Sequence, residues 1–299
     1  MTTTLAPIDL HYLHSRRIFP RHCQTLHLIQ VGCGGIGGQL APSTARIARE
    51  CAARFDEVRV SFYDGDRVEE KNIRRQQFCE AEIGRNKAEC LAYRLNMAWG
   101  LEISAYPFHV PTSPSRLELD SDTLTVLIGC VDNPRARRTL HQHVAASHQH
   151  HVVWWLDGGC LRTHAQVLLG NATRCDHLAQ SFTLPSLCTA LPSPGWLHPE
   201  LLKPSRRART NRPRSCAELA QEDPQSLTIN MVVAAHMADY LVRLLITKDL
   251  TRFATYIDMD SGATRSLYAT PEQLSQSLHQ PIDLFQTTPH LSGAPTAHT

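Results

Sequence analysis

The chain has 299 residues, 42% hydrophobic and 19% charged, which suits an ordinary soluble globular protein built as one large α/β domain or as a core with an insertion. A formal net charge of +2 gives no global electrostatic case for nucleic acid or an anionic membrane, and neither is expected as a partner. Ten cysteines behind an N-terminus without a basic and apolar leader read as reduced thiols, and no apolar run reaches bilayer length, so a cytoplasmic location is expected.

In chain order, residues 8–22 predict a short helix within an N-terminal segment, 1–25. Residues 26–31 (LHLIQV) form an apolar run that stops at glycine, the mark of a buried strand. Residues 39–55 carry helical spacing, with Pro42 placed near the helix start, where its missing N–H matters least. Residues 57–64 alternate and end in acid, which predicts a second strand, and residues 80–99 predict a helix. A strand is expected over 102–108, and 124–130 (LTVLIGC) is apolar throughout, as in a strand covered on both faces. A helix over 135–149 and a strand over 152–159 complete the series. Alternation of this kind over 26–170 implies a doubly wound, mainly parallel α/β sheet. Residues 171–225 are rich in Pro, Ser, Arg and isolated Cys, and predict a long crossover loop. A helix over 226–246 capped by Ser226 and strands over 252–260 and 264–269 form a C-terminal region, 226–270, with 271–299 as a loosely held tail.

Gly32, Gly34 and Gly37 fit G-x-G-x-x-G between a strand and a helix, where backbone and helix N-terminus can receive a phosphate. That loop alone allows an NAD-dependent oxidoreductase, with Asp64 on the ribose. The residues downstream of the loop point elsewhere. Asp64 and Asp66 precede Asn72, Arg74, Arg75, Gln76 and Lys87, and Asp132 ends the next apolar strand. A guanidinium and an ammonium near one crevice suit charge neutralisation on a polyphosphate, and an acid beside polyphosphate suits Mg²⁺. Lys87 stands out further because only four of the 30 basic residues are lysine.

Together, GCGGIGG, DGDRVEEKNIRRQ, IGRNKA, the VDN turn and the LDGG strand resemble the ThiF, MoeB and ubiquitin-activating superfamily over residues 26–170. DLHYLHSRRI, NKAECLAYRLNMAWG and SCAELAQEDPQSLTIN are similar to the ThiF-related member of the PRTRC plasmid cassettes. The resemblance implies a Rossmann-like adenylation domain that uses ATP and Mg²⁺ to activate the C-terminal carboxylate of a ubiquitin-like β-grasp or sulfur-carrier protein. By motif, Asp64 would hold the ribose, with Asp66 beside it, and Gly32, Gly34, Gly35 and Gly37 would line the nucleotide. Asn72, Arg75 and Lys87 would contact the triphosphate, Gln76 would support the loop, and Asp132 would bind Mg²⁺ and assist attack on the α-phosphorus. It further implies a homodimer, with Arg16 or Arg17 entering the partner subunit's site, and a conjugating-enzyme-like protein as a second partner.

The chain departs from that pattern in lacking paired CxxC motifs; Cys160, Cys175, Cys188 and Cys216 stand apart, so a structural Zn²⁺ is not expected. The His-rich run 141–151 starts on an expected surface helix and gives little case for a metal. Family members that pass the activated carboxyl to a thiol imply a nucleophile in the crossover, where Cys188 and Cys216 rank together ahead of Cys175. Lys203 and the arginines of 206–214 make a basic cluster in the same loop, suited to an acidic partner or to phosphates. The other readings are the oxidoreductase, a catalytically silent scaffold of the same fold, and an enzyme for small molecules like the tRNA-modifying dehydratases.

Overall fold

The computed structural model describes residues 10–117, 119–147, 152–179, 181–204 and 227–285. Its centre is an eight-stranded sheet of β2 (Thr25–Val31), β3 (Glu57–Tyr63), β4 (Ser104–Tyr106), β5 (Thr123–Gly129), β6 (Val153–Cys160), β7 (His164–Gly170), β9 (Arg252–Asp258) and β10 (Ala263–Tyr268). Across the sheet these strands run in the order β10-β9-β7-β6-β5-β2-β3-β4. The five strands from β4 to β6 pair in parallel, and β7, β9 and β10 continue the sheet antiparallel. A separate two-residue parallel ladder joins β1 (Arg17–Ile18) to β8 (Leu187–Cys188). All seven residues of β5 are buried, as its unbroken apolar run requires.

The parallel half is wound by α1 (Gly35–Cys51), α2 (Lys87–Trp99) and α3 (Pro134–Ala146). Asn86 caps α2, its Oδ1 accepting the N–H of Ala88 and Glu89, and Asn133 caps α3 by accepting from Ala136. Because Gly84 takes φ +83° and Asn86 then caps, the helix expected over 80–99 divides into a 3₁₀ turn, Glu80–Glu82, and α2. Pro42 lies well inside α1, not near its start, and leaves the Gly38 carbonyl without its usual helical donor. Burial of Leu40, Ala41, Ala45 and Ala48 along the core face offsets that loss.

Helix α4 (Leu227–Val242) runs on into a π-helical turn, Arg243–Thr247, and rests against α1, β6 and β7. Contrary to the expectation from sequence, one span here, Thr228–Thr247, is long and apolar enough to cross a bilayer, with mean hydropathy 1.5; half of it is buried in the fold. Ser226, expected as its cap, lies outside the described residues. Two further differences concern order. Residues 171–204 of the expected crossover loop carry 3₁₀ turns, the β8 ladder and buried Leu178, Leu191 and Ser193. The expected tail begins with α5 (Pro271–Leu278), capped by Thr270 and anchored by buried Leu274 and Phe285. A single hydrophobic core runs through all these elements.

Candidate functional site

In the order β4-β3-β2-β5-β6 the chain winds outward in both directions from β2 and β5, and a crevice opens where the carboxyl ends of such strands diverge. There the structure has a cavity of ≈1020 Å³. The β2–α1 loop enters it first. Gly32 takes φ +95°, and a methyl group there would lie 2.5 Å from the Cys130 carbonyl, so the tight turn requires glycine. Gly37 would meet the Gly32 carbonyl at 2.0 Å, which makes it a packing residue of the turn; unlike Gly32, Gly34 and Gly35, it does not line the cavity.

Asp64, at the end of β3, is locked to this loop. Its Oδ2 accepts the Cys33 N–H at 2.6 Å and its Oδ1 the Asp66 N–H at 2.8 Å. Burial raises the pKa of its carboxyl, against the pull of those N–H groups and of Lys87. Lys87 is the first residue of α2; its side chain is 7% exposed, with Nζ 3.3 Å from Asp66 Oδ2. Asn86 fixes that geometry by donating Nδ2–H bonds to the carbonyls of Asp64 and Asp66 while capping α2. Asp64, Asp66, Arg75, Gln76, Lys87 and Asp132 all line the one cavity.

Asn72 does not join them. It is buried, and its Oδ1 accepts the Glu69 N–H at 2.9 Å in a reciprocal cap of the turn Glu70–Ile73. Its role here is to shape the turn that delivers Arg75 and Gln76, whose N–H groups both bond to the Asn72 carbonyl. The choice between Arg74 and Arg75 resolves the same way: Arg74 is exposed, and Arg75 is half-buried on the cavity wall. Gln76 Oε1 is buried without a hydrogen-bond partner beside Gly34, an acceptor left for a ligand's donor. Asp132 is exposed at the cavity and, among the described residues, holds no ion pair or hydrogen bond, so its oxygens suit a hard cation. These features fit a magnesium–nucleotide ligand.

Sequence reasoning missed an ion pair at the back of the crevice. Arg137 on α3 sends Nε to both oxygens of Asp157 on β6, at 3.2 and 3.1 Å, and both side chains are buried. Burial pushes the Asp157 carboxyl upward and Arg137 pulls it back. The signal was an acid inside the apolar run VVWWLD. The far wall was also missed. In register across β7, β9 and β10, Gln166, Tyr256 and Arg265 make one row, and His198 joins Tyr256 Oη at 2.7 Å to Glu200 at 2.8 Å.

Several expectations fail on burial. Cys188 is fully buried in the ladder with Ile18, outside the cavity, and its thiol donates to the Ala190 carbonyl at 3.4 Å. Burial pushes that thiol to about 12, so in this conformation it is neither accessible nor a nucleophile. Cys216 and the arginines of 206–214 lie outside the described residues. Arg16 donates to the Phe182 carbonyl at 2.6 Å and stacks on that ring, which commits it to its own chain; Arg17 is exposed. His143 is buried and bonds to the Pro111 carbonyl at 2.7 Å, and His141 is half-buried, so this helix face is internal and not a surface one. The metal-type cluster among the described residues is His164, Asp258 and Asp260, not the isolated cysteines.

Fold and site together define a Rossmann-like α/β protein with a glycine loop facing converging acids and cations. The chain belongs to the ThiF family, whose model matches residues 21–275. It is similar in structure to PaaA, with 14% identity, a TM-score of 0.50, and coverage of 81% of this chain and 64% of that one. It is likewise similar to E. coli MccB with ATP, with 14% identity, a TM-score of 0.52, and coverage of 81% and 63%. E. coli MccB with AMPCPP and MccA gives 14% identity, a TM-score of 0.51, and coverage of 81% and 63%. At such identities the likeness establishes the fold alone, and this chain spans just under two thirds of the length of those proteins. Comparison with curated proteins finds no match.

Proposed function

We propose that this protein uses ATP to adenylate a carboxylate, and that its acyl donor is the C-terminal glycine of a ubiquitin-like β-grasp protein. The observation that carries the reading is the meeting of the glycine loop, Asp64, Arg75, Lys87 and Asp132 in one cavity. Asp64 would hold the ribose hydroxyls, Arg75 and Lys87 would neutralise the phosphates, and Asp132 would hold Mg²⁺, which would supply charge compensation there. Catalysis of this kind is mainly positioning, which suits side chains pinned by backbone N–H groups and caps. Support also comes from the neighbours, since E. coli MccB has been solved with ATP and with AMPCPP plus MccA. The likeness of the opening and of segments 86–100 and 215–230 to the PRTRC-cassette member extends the proposal to a conjugating-enzyme-like second partner, a homodimer and a cytoplasmic setting.

The NAD reading is weaker because a dinucleotide gives Arg75 and Lys87 no triphosphate to neutralise. Calorimetry separates the two: ATP-Mg²⁺ should bind and NAD should not. Pyrophosphate exchange into ATP, dependent on a carrier ending in glycine, then tests adenylation, and its absence with every β-grasp carrier tried would leave a silent scaffold.

A further inference from the structure

Three residues from distant parts of the chain meet where the nucleotide half of the crevice gives way to its far wall. Gly158 and Gly159 precede Cys160, the last residue of β6, and a methyl group on Gly158 would lie 2.2 Å from Met237 Sδ. Helix α4 therefore rests directly on the strand. Asn230, Val233 and Met237 share one helix face at spacings of three and four, so that contact brings Asn230 onto Cys160 and onto Gly35. The Cys160 thiol donates to Asn230 Oδ1 at 3.4 Å, and the Nδ2 of the same amide would lie 2.6 Å from a methyl group on Gly35, at the start of α1.

Asn230 is 1% exposed, and its Nδ2 donor has no partner. An amide donor left unpaired in the interior is costly, so it points to an acceptor that arrives with a ligand. Cys160 and Asn230 both line the cavity, and Cys160 is half-exposed. Among the described cysteines only Cys130 and Cys160 line the cavity, and burial pushes the Cys130 thiol well up. A phosphate on the α1 N-terminus would place an acyl group joined to it beside this thiol.

Building on the adenylation reading, we propose that Cys160 is the acyl acceptor of this crevice, with Asn230 as the donor that stabilises the carbonyl oxygen during transfer. The sulfur forms a bond to the acyl carbon, and the bond from that carbon to the phosphate oxygen breaks. AMP leaves with the electron pair, and the thiol proton passes to solvent. The product is a thioester on Cys160, made at the site where the carboxylate is activated.

The test needs no carrier. The full-length chain is treated with an AMP analogue in which a vinyl sulfonamide replaces the acyl phosphate, holding an electrophilic carbon where the acyl carbonyl would sit. Peptide mass spectrometry should find one adduct on Cys160, suppressed by saturating ATP-Mg²⁺ and absent from Cys160→Ser. Asn230→Ala, checked for folding by thermal melting, should slow capture on the order of 10²-fold, the usual effect of removing one such donor. An analogue that competes with ATP yet labels Cys216, another cysteine or none overturns the acceptor role and leaves adenylation standing. Capture by Asn230→Ala at the wild-type rate overturns the role of the amide. If neither ATP nor the analogue binds, the adenylation reading falls and the acceptor role with it.

Discussion

The parallel half of the sheet and its antiparallel extension line the same crevice by different means. In the parallel half, Gly32, Asp64 and Asp132 each stand just past the end of a strand, so chain order alone carries them to one place. In the extension, Gln166, Tyr256 and Arg265 reach the wall through cross-strand register, and Asn230 reaches it through the approach of a helix to glycine. The first half is built to hold a ligand of fixed chemistry. The second is set by packing, and through Asn230 it reaches back onto Gly35 of the glycine loop.

The comparison can be broken hardest at the seam. Arg137→Ala leaves Asp157 charged and buried, and should cost about 3–5 kcal/mol in denaturant unfolding. Replacing the pair together, as Arg137→Met with Asp157→Leu, should restore most of it. A single variant as stable as wild type would show that the two halves do not depend on this pair. Next come Lys87→Ala and Asp132→Ala, each expected to reduce pyrophosphate exchange about 10²–10³-fold while the melting curve stays cooperative. Exchange at the wild-type rate in either would remove the parallel half from the chemistry.

A pH experiment probes the opposite, amino-terminal side of the parallel half. His27 on β2 is buried against Ser61, 2.8 Å away, and burial, with Arg59 adding to it, lowers its pKa to about 4. The unfolded chain takes up this proton near 6.5 and the folded chain only near 4, so the unfolded state binds more protons in between. Stability should therefore fall as pH drops from 6.5 to 4, by up to about 3 kcal/mol from this group. His27→Gln should flatten that part of the curve. Smallest is Gly158→Ala, which drives a methyl group into Met237 and should cost about 1–3 kcal/mol, relieved in part by Met237→Ala. No relief would place the strain elsewhere than the strand–helix contact.

Much of the parallel half was legible because its signals are local. Strands ending in glycine or acid name their own positions. Arg75 over Arg74 needed the turn capped by Asn72, and Asn72 itself reads as a ligand contact in sequence although its side chain is spent on that cap. Strand β7 and the row it shares with β9 and β10 left no comparable trace, since register is set by pairing partners some 90 residues apart. Cys160 is unremarkable in sequence. Only the two preceding glycines, by admitting α4, give it a neighbour from 70 residues downstream.

That 70-residue separation also has a consequence during synthesis. The phosphate loop, β6 and Cys160 leave the ribosome well before Asn230, and at ~5–20 residues per second the interval is roughly 4–14 s. Through that interval the face of α1 that α4 covers has no partner, and Gly35 lies open. A fragment ending before residue 227 would stay in that condition permanently, carrying the phosphate loop without the helix that closes over it. The crevice of this chain is thus finished only when α4 emerges, and it is not a module that can be trimmed from the rest.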